Sequence, residues 1–179
     1  MPDMLRRMLI DRWVRAGLVA IAVAAWPACA LDVNQGEPGE VEYAPLDFTL
    51  KDMNGDEVNL ADFQGRPLII NFWATWCGPC KHEIPAFIDL VEKYQDQKLT
   101  VLGISVDDPP EDLLPFAAEY GINYPILVGL GREDIAEAYG AHIVVPVSWF
   151  IRPDGTVYYK HMGTQTPEWF EEQVLAILE

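Results

Sequence analysis

Phe72-Trp73-Ala74-Thr75-Trp76-Cys77-Gly78-Pro79-Cys80-Lys81-His82-Glu83-Ile84-Pro85 decides how the rest of the chain is read. The apolar run just before it, Leu68-Ile69-Ile70, has the character of a buried strand. Beyond it, Ile84, Phe87, Ile88, Leu90, Val91 and Tyr94 recur at three- and four-residue steps, the period of a helix with one apolar face. Two cysteines separated by two residues therefore fall where a strand hands over to a helix.

That placement has chemical consequences. The first N–H groups of a helix lack intrahelical partners, and its start carries about half a positive charge. A thiolate is stabilised there, so the position predicts a lowered pKa and a nucleophilic role for Cys77. Cys80 lies one turn further in, where it can attack a mixed disulfide on Cys77. Pro79 suits an early helix position because its missing N–H costs nothing there. Gly78 lets another chain approach the Cys77 sulfur. Two inert readings compete. Half of a structural zinc site would need four ligands, yet the only other cysteine is Cys29 and no His-x3–5-His follows. A static crosslink would not need the flanking Trp76, the Gly-Pro pair or the helix start.

These residues carry a family resemblance. Trp76-Cys77-Gly78-Pro79-Cys80-Lys81 resembles the thioredoxin active site, and Pro85 falls where that family kinks its helix. The longer run through Glu83-Ile84-Pro85 is similar to the extracytoplasmic TlpA/ResA-like branch of thiol–disulfide oxidoreductases. Ala44-Pro45-Leu46-Asp47-Phe48-Thr49-Leu50 with Asn54-Gly55 resembles the opening of that branch and of peroxiredoxin-like proteins. The likeness runs from about Tyr43 to the C-terminus and implies a thioredoxin fold: an α/β domain with a mixed central sheet flanked by helices, an N-terminal hairpin and a central strand-helix insert.

The resemblance also distributes roles. Asn71 stands where thioredoxins hold a buried aspartate that manages the proton of the second cysteine, and an amide cannot do that. In the ResA-like pattern the task passes to Glu83, one turn beyond Cys80 on the same helix face. The plain alternative for Glu83 is a solvated helix carboxylate, and His82 reads as a surface residue. Pro146, in Val145-Pro146-Val147-Ser148-Trp149-Phe150-Ile151, matches the proline held in cis beside the disulfide, where Val145 and its neighbours would pair with an extended substrate. The family more often has threonine after that proline than Val147. Trp76, Gly78, Pro79, Val145 and Pro146 are thus the expected substrate-binding residues.

Composition bounds the rest. A chain of 179 residues, half apolar, is one domain plus an N-terminal appendage. A net charge of −16 excludes a nucleic-acid partner, because no basic patch is left to neutralise phosphates. Arg6, Arg7, Arg12 and Arg15 are four of only 12 basic residues, and they precede the apolar run Ala16–Trp26. Residues 1–30 read as an export leader: a cleaved signal peptide, a lipoprotein leader that lipidates Cys29, or an uncleaved anchor. Ala28-Cys29-Ala30 fits small-x-small cleavage. Trp26-Pro27-Ala28-Cys29 resembles a lipoprotein box only at Ala28. Residues 31–42, rich in Asn, Gln, Gly, Pro and Glu, read as a flexible linker to a domain over 43–179.

Within that domain the expected elements are a hairpin of Phe48–Leu50 with Val58–Leu60, a helical turn at Ala61–Phe63, and strands Leu68–Trp73 and Leu99–Val106. Then come a helix Glu111–Tyr120, a strand Tyr124–Val128, a helix Glu133–Tyr139, strands Val147–Ile151 and Val157–His161, and a last helix from Pro167 capped by Thr166.

The expected activity is reduction of protein disulfides by a monomer with no cofactor beyond the Cys77–Cys80 pair and no metal. The resemblance supplies a membrane-bound electron donor, a membrane-attached N-terminus, a location in the periplasm or on the outer face of the membrane, and cytochrome c maturation as one setting. Gly-Pro between the cysteines is thioredoxin's own dipeptide, and its potential near about −270 mV favours a reductant. Two rivals remain. A peroxiredoxin-like peroxidase needs Pro-x-x-x-Thr/Ser-x-x-Cys, but Ile70 and Ala74 occupy those places before Cys77. A copper chaperone would add His142 or His161 to the thiols, though the cysteines stand one residue closer than copper-handling relatives prefer.

Overall fold

In the computed structural model, residues 41–179 are described. The leader, Cys29 and nearly all of the linker expected from the sequence lie outside them. Thr49–Lys51 (β1) and Glu57–Asn59 (β2) form an antiparallel hairpin. The Asp52 carboxylate organises its turn by accepting the N–H groups of Asn54 and Asp56 at 2.8 and 2.9 Å. The strands begin and end one residue from expectation: Leu60 leaves the ladder for a 3₁₀ turn over Leu60–Phe63, which Asn59 caps from the end of β2.

The main sheet comprises Leu68–Trp73 (β3), Thr100–Ser105 (β4), Ile126–Val128 (β5), Val147–Ile151 (β6) and Val157–Met162 (β7). Its order is β5-β4-β3-β6-β7, with β3, β4 and β5 parallel and β6 and β7 antiparallel. A continuous apolar run makes β3 the centre, buried along all 6 of its residues. Four helices complete the domain: Gly78–Lys93 (α1), Pro110–Tyr120 (α2), Glu133–Ala138 (α3) and Pro167–Leu178 (α4). Strand alternation then divides the core. Ile69, Val101 and Phe150 meet Phe87 and Leu90 of α1 and Phe170 and Val174 of α4. Ile70, Leu102 and Trp149 meet Leu50 and Leu60 of the hairpin region and Ile135 and Tyr139 at α3. Trp73 and Ile126 pack with Leu113 and Phe116 of α2 beside the cysteines. This is a mixed sheet between helices with the hairpin and the strand-helix insert in place, as the resemblance implied.

Strand and helix ends differ slightly from the sequence reading. Leu99 and Tyr124 lie outside β4 and β5, although both are buried, and α3 stops before Tyr139. Hydrophobicity marks what is buried, whereas the ladder stops where backbone partners stop. The hairpin turn also covers the β5 edge: the Met53 N–H donates to the Ile126 carbonyl at 3.1 Å.

Candidate active site

Parallel β3 and β4 end side by side, Trp73 opposite Ser105. The loop leaving β3 carries Ala74 to Cys77, and α1 starts at Gly78 with Cys77 as its N-cap. The Cys80 N–H donates to the Cys77 sulfur at 3.2 Å. One of the orphan donors of the helix start is thus aimed at the sulfur expected to carry charge. Cys77 and Cys80 are joined in a disulfide with Cα atoms 5.3 Å apart, and both are buried. Pro79 sits in the first helical turn and Pro85 inside the helix.

The Val145–Pro146 bond is cis. It brings the Val145 carbonyl oxygen to 3.9 Å from the Cys77 sulfur. Trp76, Gly78 and Pro79 are exposed around the disulfide, so the five expected substrate-facing residues, with Val145 and Pro146, surround one sulfur. Val147, where threonine is commoner in the family, is buried in the core, and Ser148 beside it turns inward.

Glu83 is not a solvated carboxylate. It is 2 % exposed, three residues beyond Cys80 on the buried side of α1. The Asn71 amide lies 3.5 Å from its Oε2 and also donates to the Ser148 hydroxyl at 2.9 Å. Glu83 Oε1 has no hydrogen-bond partner among the described residues. Burial pushes the Glu83 pKa up to about 8, against a smaller opposing pull from the Thr164 side chain and the Asn71 amide. A carboxyl poised near neutrality one helical turn from Cys80 can take up or return a proton there. Gly103, paired with Asn71, has no side chain, and that space is taken by the Trp73 indole and the Tyr124 ring, which help to exclude water.

Sequence reasoning missed the acid pair after β4. Asp108 is 5 % exposed and accepts the Thr75 N–H at 2.8 Å and the Thr75 and Ser105 hydroxyls at 2.5 Å each. Asp107 accepts the Trp76 indole N–H at 3.0 Å. The two residues before Cys77 are therefore held from the neighbouring loop. Position could have flagged these acids: in sheets of this kind, sites form beyond the carboxyl ends of parallel strands. His82 is exposed and bonds only within its own helix, to the Gly78 carbonyl at 2.9 Å. His142 is exposed beside the disulfide loop, while His161 lies half-buried on β7 against Trp169, its Nε2 unpartnered. Among the described residues these histidines and the cysteines form no group of three metal-ligating side chains. Ile70 and Ala74, at the places a peroxidase would fill with proline and a hydroxyl residue, are fully buried apolar side chains.

Comparison with known proteins agrees with this geometry. A family model described as the AhpC/TSA family matches residues 41–160. The thiol–disulfide oxidoreductase ResA of Bacillus cereus is 33% identical over 144 residues, covering 80% of this chain and 82% of that protein. ResA of Bacillus subtilis is 28% identical over 157 residues, 86% of each chain. A crystal structure of a thiol:disulfide interchange protein DsbE from Chlorobium tepidum superposes with a TM-score of 0.70 at 29% identity, over 78% of this chain and 98% of that one. The chain belongs to the AhpC/TSA family and, within the thioredoxin superfamily, to its TlpA/ResA-like thiol–disulfide oxidoreductases.

Proposed function

We propose that this enzyme acts outside the cytoplasm as a reductant of disulfides in other proteins. The observation that carries the reading is the Cys80 N–H aimed at the Cys77 sulfur from the start of α1. In the reduced enzyme, the Cys77 thiolate attacks one sulfur of the substrate disulfide and expels the other as a thiolate, which takes a proton from water. Cys80 then passes its proton to the Glu83 carboxylate and attacks the Cys77 sulfur. The second substrate thiolate leaves, and the pair of electrons has moved from the dithiol to the substrate. What remains is the Cys77–Cys80 disulfide present in the structure. A membrane-bound dithiol donor restores the enzyme by the reverse exchange.

Val145 and cis-Pro146 offer backbone to an extended substrate segment, and Trp76, Gly78 and Pro79 form its other border. The basic and then apolar leader supports export, with residues 1–30 removed, lipidated at Cys29 or kept as an anchor. The Gly-Pro dipeptide supports a reducing role, and cytochrome c maturation is the setting that the ResA-like resemblance suggests. The enzyme works as a monomer and needs no cofactor beyond the redox disulfide.

The test is a trap. Cys80→Ala should accumulate a mixed disulfide between Cys77 and its protein substrates, visible as adducts on non-reducing gels that dithiothreitol removes. Cys77→Ala should accumulate none. Equal trapping by both variants, or none by Cys80→Ala, would contradict the assigned order of attack.

A further inference from the structure

We propose that the groove on the Trp76 side of Cys77 is a side-chain subsite for a bulky apolar residue of an extended substrate, flanked there by a basic residue. The inference rests on the thiol–disulfide reading and narrows its substrate class. The groove has a volume of about 310 Å³ and is bordered by Trp76 and Val145, the two residues that flank the sulfur. A substrate strand laid along Val145 therefore places a side chain near its own cysteine over the opening.

The walls select for apolar matter. Val106, Ala136, Ala141 and Val144 line the groove, and small residues leave it open. Gly129 is forced to stay small, because a Cβ there would stand 2.6 Å from the Ser105 carbonyl oxygen. On the rim, Ile143 is 82% exposed, an apolar surface at the mouth of an apolar space.

The charges select the neighbour. Among the described residues Arg132 is the groove's one arginine or lysine, and it is already engaged by the Asp134 carboxylate at 2.8 and 2.9 Å and by the Thr49 carbonyl at 2.7 Å. Among those residues Asp107 and Glu133 pair with no cation. The indole N–H on Asp107 fixes Trp76 as a wall and leaves the carboxylate's charge in place. A chain of net charge −16 adds a field that favours basic partners and repels acidic ones.

The experiment uses short peptides whose single cysteine is capped as a mixed disulfide with thionitrobenzoate. Phe or Ala stands two residues from the cysteine and Lys or Glu two residues beyond that, on the same face of the strand, in separate series on either side. The reduced enzyme attacks the peptide sulfur and releases the coloured thiolate, and Cys80 then frees the peptide as a thiol. Each rate is divided by the same variant's rate with dithiobis(nitrobenzoate), so a folding defect cancels. The Phe/Lys peptide should react about tenfold or more faster than the Ala/Glu peptide in at least one series, the scale of a filled apolar pocket. Ala136→Phe should bring the Phe/Ala ratio towards one by filling the groove, and Ile143→Ala should lower it. Glu133→Lys should lower the Lys/Glu ratio, as should added salt. Equal rates for all peptides, or a Phe preference unchanged in both Ala136→Phe and Ile143→Ala, would overturn the subsite while leaving disulfide exchange intact. No reaction with dithiobis(nitrobenzoate) would overturn exchange itself, and the subsite with it.

Discussion

With its pKa pushed up to about 8, the Glu83 carboxyl is mostly protonated at pH 7 in the oxidised enzyme, and its ionised share grows as pH rises. Two consequences follow from that one number. A carboxyl whose pKa is higher folded than unfolded favours folding fully below its unfolded value of 4.5, and the contribution is lost as pH climbs through about 8. Oxidised wild type should therefore lose stability relative to Glu83→Gln across that window, by a few kcal/mol in urea titrations. In the proposed mechanism the ionised form takes the Cys80 proton, so resolution of the mixed disulfide should speed up with pH to about 8. Glu83→Gln should remove that inflection and slow the step by about a hundredfold at pH 7, read by stopped flow. Asp108 acts through its neighbours. Asp108→Ala strands the Thr75 N–H and the hydroxyls of Thr75 and Ser105, which should cost about 1–3 kcal/mol and slow attack by Cys77. Asp108→Asn, which keeps an oxygen acceptor, should recover most of the rate. A small disulfide substrate reduced equally fast by all three proteins would show that the clamp is idle. At this scale the cysteines were plain in the sequence because their spacing is local. The seat of Glu83 was a matter of resemblance, since periodicity puts a residue on a face without saying what covers it. Asp108 was illegible because Thr75, which it holds, stands 33 residues earlier in the loop after β3.

Among the elements, the insert between α1 and β6 does the most to shape the site. α2 packs Leu113 and Phe116 against Trp73, and the β5–α3 loop forms one side of the groove. That loop can lie close to β4 only because Gly129 has no side chain, and its N–H donates to the Ser105 carbonyl at 2.7 Å. Gly129→Ala should force the loop outward at about 1–3 kcal/mol, lowering the urea midpoint. An unchanged midpoint would mean that the loop yields freely. Element types were legible throughout, because β3 is a short unbroken apolar run and α1 buries one face at helical spacing. Ends were less so: Leu60 reads as strand by alternation, yet it opens the 3₁₀ turn that Asn59 caps.

The whole molecule is a scaffold that brings three distant stretches to one sulfur. The β3–α1 loop and the first turn of α1 supply the cysteines, the loop after β4 holds Thr75 and Trp76 before them, and the cis proline before β6 lies on one side. The thioredoxin fold was legible from the strand-CxxC-helix order together with a late proline before a strand. The partnership of those stretches belongs to the sheet order β5-β4-β3-β6-β7, which no local pattern encodes. In the proposed mechanism α1 begins beneath Cys77 and holds its sulfur anionic at neutral pH. The most direct measurement is the rate of iodoacetamide alkylation of Cys77 in the reduced protein as a function of pH, with adducts located by mass spectrometry. A midpoint below about 7.5 is predicted for a thiol at a helix start. A midpoint near about 8.5, that of free cysteine, would contradict the account.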